Sequence, residues 1–432
     1  METSQIILCS VVFFGLLALG LPIAWAIGIA SLAAILFMLD PLIAVTTLAQ
    51  QYLTSLDSFT LLAIPFFILA GQIMNQGGIA RRLIDLAKNL VGSLPGGLAH
   101  VNIVAAMLFG SIAGSAVAAA SAIGSVLGPK MKEDGYSKDF AAAVNITSAT
   151  SGLVIPPSNV LIVYALASGG TSIATLFVAG YLPGLLMGLI LMLVATFYAL
   201  YKRYPRSPRT SRRELLRSFL SALPSLTLLV VVIGGIVSGM FTATEASGIA
   251  VAYTLVLAAV YGELKVPELP KLILSAVRTT SVVLFLIMAS ISMSWVFSFA
   301  ELPQAISSSI LSLSDNRIVI LILINILLLI VGMFMDMTPA VLIFTPILLP
   351  IVTELGIDPV HFGIIMVMNL CIGICTPPVG TLLFVGVSVA GTTIERVIKP
   401  LMLCLIPLIA ALLIVTFWPD LSLWLPRLFG LS

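Results

Sequence analysis

One stretch of this chain occurs twice, and the two copies restrict the possible folds more than any other feature. Residues 110–171 align without a gap with residues 331–392, which lie 221 positions later. The matched residues that control backbone geometry are Pro129/Pro350, Gly135/Gly356, Gly152/Gly373, Pro156-Pro157/Pro377-Pro378 and Gly170/Gly391. Glycine and proline are placed by backbone conformation, so an apolar composition alone does not explain their coincidence. The sequence therefore predicts an internal duplication.

The composition indicates that both copies lie in a membrane. Hydrophobic residues make up 60% of the 432 residues and charged residues 9%, whereas soluble domains carry roughly 25% charged residues. The apolar runs are long enough for membrane helices, which need about 20 residues each, and strand-like alternation is absent. We therefore expect an all-α polytopic membrane protein. The apolar N-terminus lacks a basic segment and a cleavage site, which favours a membrane helix over a signal peptide.

The duplication predicts two repeats with the same order of parts. We assign the first repeat to residues 1–201 and the second to residues 218–432. In each repeat we expect scaffold helices, an interfacial arm helix, a re-entrant hairpin and a broken helix. In the first repeat these parts are 5–75, 77–97, 98–129 and 139–172. In the second repeat they are 218–300, 301–316, 318–350 and 360–391.

The first arm has the pattern of a helix that lies in a membrane surface. Its apolar residues Ile79, Leu83, Leu86 and Leu90 are predicted on one side, and Arg81, Asp85 and Lys88 on the other. Such an amphipathic helix rests with its apolar face in the headgroup region.

Charge predicts the orientation of the repeats. The linker 202–217 holds seven basic residues against one acidic residue, so the positive-inside rule assigns it to the cytoplasm; a nucleic-acid patch is the weaker alternative. The first arm has a net charge of +2 and the second of −2, which suggests opposite membrane sides. An odd number of crossings per repeat also inverts the second copy. Both features favour inverted topology with both termini outside.

The duplicated Pro-Pro pairs mark the candidate transport site. Each pair removes two amide donors from a membrane segment, and the freed carbonyls are tolerated only beside protein or a watery cavity. Two such breaks in inverted repeats point to a binding site near mid-membrane. The polar residues near the breaks are Ser111, Ser115, Thr147, Ser148, Thr150, Ser151, Ser158, Asn159, Asp336, Thr338, Asn369, Thr376 and Thr381. Their oxygens suit a hard cation, although single hydroxyls in helices often bond back to their own backbone.

Three further residue types admit two interpretations. Asp336 is a carboxylate in an apolar run, which favours a functional role, but it could also cap a helix that begins near Thr338. Glu245 fits a capping box with Thr242. Cys371 and Cys375 share a helix face and are better explained as small packing residues than as metal ligands.

The absence of some residue types also limits the chemistry. No Lys or Arg occurs in 98–129, 139–201 or 318–395, so an anionic substrate would meet bound cations, helix N-termini and hydroxyls. A nucleotide-binding loop of the Walker type is also absent from the sequence, which argues against ATP hydrolysis.

Several stretches resemble one transporter family along nearly the whole chain. They are SFTLLAIPFFILAGQIM, GGIARRLIDLAKNLVGSLPGGLA, GSIAGSAVAAASAIGSVLGPKMKEDGY, SGLVIPPSN, FTATEASGIAVAY, FMDMTPAVLIFTPILLPI and GIDPVHFGIIMVMNLCIGICTPPVGT. The chain resembles the large membrane subunit of tripartite ATP-independent periplasmic (TRAP) transporters. It is also similar to the broader superfamily of ion transporters with paired hairpins.

The resemblance implies a sodium-driven importer of small organic acids in a bacterial inner membrane. It implies two partners, a small four-helix membrane subunit and a periplasmic binding protein, and an elevator movement against the scaffold. We expect the small subunit to be a separate chain, because this sequence starts directly with the large-subunit pattern. Nucleic acid is not expected as a partner.

The resemblance also implies a set of site residues around two sodium ions. One sodium site would pair the hairpin tip Gly114-Ser115 with the break 152–159, and the other would pair the tip 336–338 with the break 373–381. The implied sodium ligands are Gly114, Ser115, Gly152, Ile155, Ser158, Asp336, Thr338, Gly373, Thr376, Gly380 and Thr381. The implied substrate-binding residues are Ser115, Thr147, Thr150, Asn159, Asp336 and Asn369. Many members carry an Asp shortly after the first tip, where this chain has Ala118-Ala119-Ala120.

Three other functions compete with this interpretation. A stand-alone sodium/anion symporter of the same superfamily would need no binding protein. An intramembrane protease would need paired catalytic residues, whereas Asp336 is the only acid deep in an apolar run. A purely structural scaffold would have no use for two polar breaks.

Overall fold

The chain is helical throughout the part that its computed structural model describes, residues 2–204, 211–306 and 316–431. Within these ranges, eight helices are long and apolar enough to cross a membrane, or nine if one bent pair counts as a single span. The prediction of an all-α polytopic membrane protein is confirmed.

The first half begins with paired scaffold helices and ends with one long helix. Its helices are Glu2–Ala18, Ile23–Met38, Pro41–Leu56, the 3₁₀ turn Phe59–Leu62, Ala63–Gln76, Ile79–Val91, Gly97–Ala113, Ala116–Glu133, Lys138–Val154, Asn159–Ala167 and Ile173–Lys202. Hereafter the first hairpin is Gly97–Ala113 with Ala116–Glu133. The first broken helix is Lys138–Val154 with Asn159–Ala167.

The second half follows the same order. Its helices are Arg212–Val237, Ala243–Tyr261, the 3₁₀ turn Val266–Glu268, Leu269–Phe299, Arg317–Phe334, Met337–Glu354, Pro359–Gly373, Thr381–Ala390, Ile394–Phe417 and Asp420–Leu428. The second hairpin is Arg317–Phe334 with Met337–Glu354. The second broken helix is Pro359–Gly373 with Thr381–Ala390.

The duplication extends into the scaffold, where residue identity is weak. Helix Ile23–Met38, displaced by 221 residues, coincides with Ala243–Tyr261 to within two residues at either end. The packing is exchanged accordingly. Ile23–Met38 packs on Leu269–Phe299, and Ala243–Tyr261 packs on the helix Ala63–Gln76. Each repeat therefore supplies half of one interlocked scaffold.

The hairpins and broken helices also interlock across the repeats. Each hairpin packs on the first segment of its own broken helix. The helix Ala116–Glu133 of the first hairpin also packs on Thr381–Ala390 of the other repeat, and Met337–Glu354 packs on Asn159–Ala167. The first segments of the two broken helices meet between them. These four elements form one packed body that neither repeat could build alone.

Matching turns in the two copies adopt matching backbone conformations. Gly135 follows the second helix of the first hairpin, and Gly356 follows the second helix of the second hairpin. Their φ angles are +83° and +71°, a region that L-residues with a side chain rarely occupy. Both Pro-Pro bonds, Pro156-Pro157 and Pro377-Pro378, are cis. The shared glycines and prolines therefore encode shared turns.

Glycine lets each hairpin touch its broken helix backbone to backbone. A Cβ at Gly110 would lie 2.9 Å from the Cα of Gly152, and a Cβ at Gly332 would lie 2.9 Å from the Cα of Gly373. The gapless alignment instead matches Gly110 to Val331. The first helix of one hairpin is therefore equivalent to the first helix of the other, with an offset of one residue from the gapless alignment. Gly152 lies inside its helix at this contact, and Gly373 is the last residue of its helix.

The basic linker is shorter than the sequence predicted. Residues 205–210 lie outside the described residues, and the next helix begins at Arg212, inside the predicted range 202–217. Ser211 and Glu214 form a capping box there, and such a cap contributes about 1 kcal/mol to helix stability. The capping box predicted at Thr242 and Glu245 is present as well.

The first arm is a helix, Ile79–Val91, with one error in the predicted faces. Ile79, Leu83 and Leu86 are on one side as expected, but the arm packs on Gly97–Ala113 and Arg212–Val237 and buries them in the protein instead of the headgroup region, whereas Leu90 is 51% exposed. The guanidinium of Arg82, 3.5 Å from the centroid of the Tyr261 ring, also pairs with Glu263 at 3.4 Å. This contact joins the arm to the scaffold of the other repeat. The predicted second arm falls mostly on residues 307–315, outside the described part.

Replacing Gly152 with alanine is expected to lower the thermal stability of the protein. The added methyl group would approach the Ala106 carbonyl oxygen to 2.5 Å, and overpacking of this kind costs about 1–3 kcal/mol. Gly128→Ala is the matched control, because nothing lies within 4 Å of a Cβ at that helical position. Thermal unfolding of both purified variants measures the difference. A Gly152→Ala protein as stable as the Gly128→Ala protein would contradict the close contact.

Candidate ion and substrate site

The first break follows from the two prolines that interrupt its helix. The helix Lys138–Val154 ends before Pro156 and Pro157, so the carbonyl oxygens of Gly152 and Leu153 lose the amide donors of a continuous helix. The two segments meet at an angle of 51°. Around this bend, Ile155 and Ser158 are buried. The break therefore concentrates carbonyl oxygens in a closed interior.

Two side-chain oxygens at this break lack a partner. Among the described residues, nothing forms a hydrogen bond with the buried Ser158 Oγ or Asn159 Oδ1. A buried polar group without a partner costs about 1–3 kcal/mol. Together with the freed carbonyls, these atoms form a set of oxygen donors suited to a cation or to ordered water.

The tip of the first hairpin reaches the first break. Asn159 donates from Nδ2 to the Gly114 carbonyl oxygen at 3.5 Å. Gly114 has φ of +60° and ends one hairpin helix, and Ser115 caps the next by accepting from the Ala118 amide at 3.3 Å. The structure thus brings together Gly114, Ser115, Ser158 and Asn159, four of the predicted site residues.

The second break is held differently, by backbone hydrogen bonds. Gly380 donates to the carbonyl oxygen of Met333 in the second hairpin at 2.9 Å. Leu382 donates to Ile374 at 3.2 Å, and Thr376 donates to Gly373 at 2.8 Å. The segment between them is exposed at Pro378 and Val379. The second tip and the second break are therefore adjacent, but this break is open where the first is closed.

The second hairpin tip differs from the predicted range 336–338. Its helix already begins at Met337, and Thr338 is helical, because Pro339 fits the first turn of a helix. The preceding Met335 is extended, with φ of −120°. Asp336 holds the N-cap position, yet its side chain accepts no capping hydrogen bond. Its half-buried carboxylate interacts with the backbone amide of Met337.

Several of the predicted hydroxyls bond back to their own helices. The donors and acceptors are Ser111 to Leu108, Thr147 to Ala143, Thr150 to Thr147 and Thr376 to Ile372. Thr376 is half-buried at the second break and keeps lone pairs for a ligand. Thr147 and Thr150 are fully buried and interact with the thiols of Cys404 and Cys375. Their hydrogen bonds within the described residues go to their own helix and to thiols, and none joins either threonine to a hairpin tip.

A hydrogen bond to an asparagine of the hairpin connects each hairpin to its broken helix, and these asparagines, Asn102 and Asn325, were not predicted from the sequence. Ser148 donates to Asn102 Oδ1 at 2.8 Å in the first repeat. In the second repeat, Asn369 donates to Asn325 Oδ1. Ser148 and Asn369 occupy equivalent positions, 221 residues apart. The sequence signal that could have identified Asn102 and Asn325 is a side-chain amide in a largely apolar hairpin helix.

The remaining predicted residues Ile155, Gly380 and Thr381 lie at the two breaks. Ile155 donates its amide to Ser151 at 3.4 Å. Gly380 has φ of +43°, and Thr381 is the first residue of the following helix. A Cβ at Gly380 would lie 2.9 Å from the carbonyl oxygens of both Ile374 and Thr376. Only glycine leaves those oxygens accessible there.

The chain matches one protein family over most of its length. The family described as "Tripartite ATP-independent periplasmic transporter, DctM component" matches residues 10–421. A solved structure, the YdaH transporter of Alcanivorax borkumensis, superposes with a TM-score of 0.63 at 16% identity and covers 89% of this chain and 90% of its own. That likeness supports the fold alone.

Similar sequences include an uncharacterized protein and two named transporter permeases. The uncharacterized protein YgiK of Salmonella typhimurium is 55% identical over 98% of both chains. The 2,3-diketo-L-gulonate TRAP transporter large permease protein YiaN of Escherichia coli is 41% identical and covers 94% of this chain and 95% of its own. The C4-dicarboxylate TRAP transporter large permease protein DctM of Pseudomonas aeruginosa is 42% identical over 93% of both.

These matches agree with the fold and the paired breaks. The named relatives are transporter permeases and not enzymes, so the protease alternative is dropped. The chain belongs to the DctM component family, the large permease subunits of tripartite ATP-independent periplasmic transporters.

Proposed function

We propose that the protein imports a small organic acid across a bacterial inner membrane by coupling its entry to sodium. The observation that carries the proposal is the set of unpartnered oxygens at the first break, Ser158 Oγ and Asn159 Oδ1, beside a hairpin tip. The named relatives transport a keto sugar acid and C4-dicarboxylates. An organic acid of this size is the substrate class of the proposal.

Sodium binding at the two breaks would prepare the site for an anion. The first ion would use carbonyls of Gly114, Gly152 and Ile155 with the Ser115 and Ser158 oxygens. The second ion would use oxygens of Asp336, Thr338, Gly373, Thr376, Gly380 and Thr381. No Lys or Arg lies in the segments that form the breaks and tips, so bound cations supply the positive charge that attracts an anion. Substrate and sodium then strengthen each other's binding.

The packing supports movement of the site as one body. The hairpins and broken helices interlock across the repeats, whereas the scaffold helices pack mainly on one another. We propose that this body moves past the scaffold, as in an elevator. The inverted relation of the repeats and the cytoplasmic linker remain part of this proposal.

The family description names a tripartite system. We propose that the protein works with a small four-helix membrane subunit and with a periplasmic protein that delivers the substrate. A stand-alone symporter, which takes substrate from solution, is the alternative that experiment must separate.

Ser158→Ala is expected to raise the sodium concentration for half-maximal uptake about tenfold. Loss of one hydroxyl ligand to a cation costs about 1.4 kcal/mol. The matched control is Ser125→Ala, because the exposed Ser125 donates to its own helix at Ala122. Uptake in proteoliposomes is measured against sodium concentration. An unchanged sodium dependence in Ser158→Ala would remove Ser158 from the site.

Uptake is expected to require both an inward sodium gradient and the periplasmic binding protein. The measurement uses radiolabelled sugar acid or C4-dicarboxylate with proteoliposomes that contain this chain and its small subunit. The gradient and the binding protein are each withheld in turn. Uptake with sodium but without the binding protein would support the stand-alone symporter. Uptake without a gradient would exclude sodium coupling.

A further inference from the structure

An apolar groove lies on the outer surface of the protein, between the last long helices of the two repeats. It lies between Ile173–Lys202 and Ile394–Phe417, which pack on each other, and has a volume of about 360 Å³. Its lining residues are Val194, Phe197, Tyr198, Tyr201 and Leu403. Phe197 is 69% exposed and Tyr201 80% exposed. The groove is therefore a surface feature of a membrane-spanning region.

Two hydrogen bonds establish which helix ends meet beside this groove. The Ser137 amide donates to Tyr204 Oη at 3.3 Å, just after the helix Ile173–Lys202 ends. Thr392 donates to Asp139 at 2.5 Å, just before the helix Ile394–Phe417 begins. Both bonds reach the start of the same helix, Lys138–Val154. The end of one groove helix and the beginning of the other thus lie at one end of the molecule.

Exposed basic residues flank this end of the groove. Lys202 follows Tyr201 directly, and its Nζ lies 5.4 Å from the centroid of the Tyr201 ring. On the other helix, Arg396 and Lys399 precede Leu403 by seven and four residues, which puts them on nearly the same face. Within the described ranges, the ion pairs are Arg82–Glu263 and Arg427–Asp420, so these basic residues lack an acidic partner there.

The acidic residues near this end do not cancel that charge. Asp139 accepts the hydrogen bond from Thr392, and the exposed Asp134 lies near Tyr136, which stacks on Tyr204 and does not line the groove. Glu395 precedes Leu403 by eight residues, about 80° around the helix, so it faces away from the groove more than Arg396 does. The groove is therefore apolar and aromatic along its length and basic at its end.

The dimensions of the groove select a chain-like occupant. From Val194 to Tyr201 the helix rises about 10 Å, so a volume of about 360 Å³ gives a mean cross-section of about 36 Å². A helix of a partner protein is at least about 10 Å wide and needs roughly twice that cross-section. The groove is open to the surface and its enclosed part is wide enough for an acyl chain, whereas a helix would protrude from it over most of its width.

We propose that this groove binds a phospholipid with an anionic headgroup. The acyl chain lies along the five lining residues, and the phosphate lies between Lys202 and Lys399. Aromatic residues are enriched where membrane meets water, and each basic residue there attracts anionic lipid by about 1 kcal/mol, or about fivefold. Both groove helices pack on the broken helices, so a bound lipid would travel with the body that contains the breaks.

Native mass spectrometry of the purified chain, with phosphatidylglycerol or phosphatidylethanolamine added, tests this site. We expect phosphatidylglycerol to bind more tightly, and the double variant Lys202→Gln/Lys399→Gln to bind it about 25-fold more weakly, from two factors of about five. The matched control is Lys265→Gln/Lys271→Gln, which removes two exposed lysines at the scaffold. An equal loss in the control would reduce the effect to net charge and overturn the proposal.

Two further variants separate the groove from the charge. Leu403→Trp fills the groove and keeps every lysine, so it should also abolish tight binding. Binding that survives Leu403→Trp would overturn the acyl-chain position. Lys202→Arg/Lys399→Arg should restore binding of phosphatidylglycerol, which distinguishes lost charge from lost folding. Failure of that rescue in a protein with a normal melting temperature would also contradict the proposal.

Discussion

The backbone hydrogen bonds that proline removes inside the membrane determine most of this structure. A helix that crosses a bilayer normally satisfies its amides and carbonyls internally. Each Pro-Pro pair removes two donors at the centre of a broken helix, so other groups must approach the exposed oxygens. In each repeat the break donates a hydrogen bond to the hairpin, from Asn159 Nδ2 to the Gly114 carbonyl oxygen and from the Gly380 amide to the Met333 carbonyl oxygen. These bonds attach each hairpin to the break beside it, and in the second repeat the amides of Thr376 and Leu382 serve the oxygens of Gly373 and Ile374.

That approach is possible only because glycine removes side chains from the contact. Gly110 meets Gly152, and Gly332 meets Gly373, nearly backbone to backbone. Asparagines on the same hairpin helices, Asn102 and Asn325, add side-chain hydrogen bonds to the broken helices. Close packing and amide hydrogen bonds therefore hold the hairpin against a helix that has lost part of its own bonding.

The sequence predicted the order of parts because glycine and proline record turns directly. The capping box at Thr242 was predictable for the same local reason. Long-range pairings were not predictable, since nothing local indicates that Asn325 faces Asn369 or that the first hairpin helices are offset by one residue. Thr147 and Thr150 donate to their own helix backbone and interact with the core thiols, so their role in substrate binding stays a prediction. Sequence shows that a residue is polar but not where its hydrogen bonds go.

The two breaks have the same arrangement of helices but different hydrogen bonds. In the second break, the backbone amides of Thr376, Gly380 and Leu382 already bond to nearby carbonyls, and the segment opens to the surface at Pro378 and Val379. In the first break, buried oxygens of Ser158 and Asn159 have no donor in the described part of the chain. A cation or water is therefore needed more at the first break, because an unpartnered oxygen there has no access to solvent. The side chains at the first break and its hairpin tip, Ser115, Ser158 and Asn159, carry neutral oxygens, whereas the second tip carries the carboxylate of Asp336. Neutral oxygens suit a singly charged ion better than a doubly charged one, because they do not compensate a second charge.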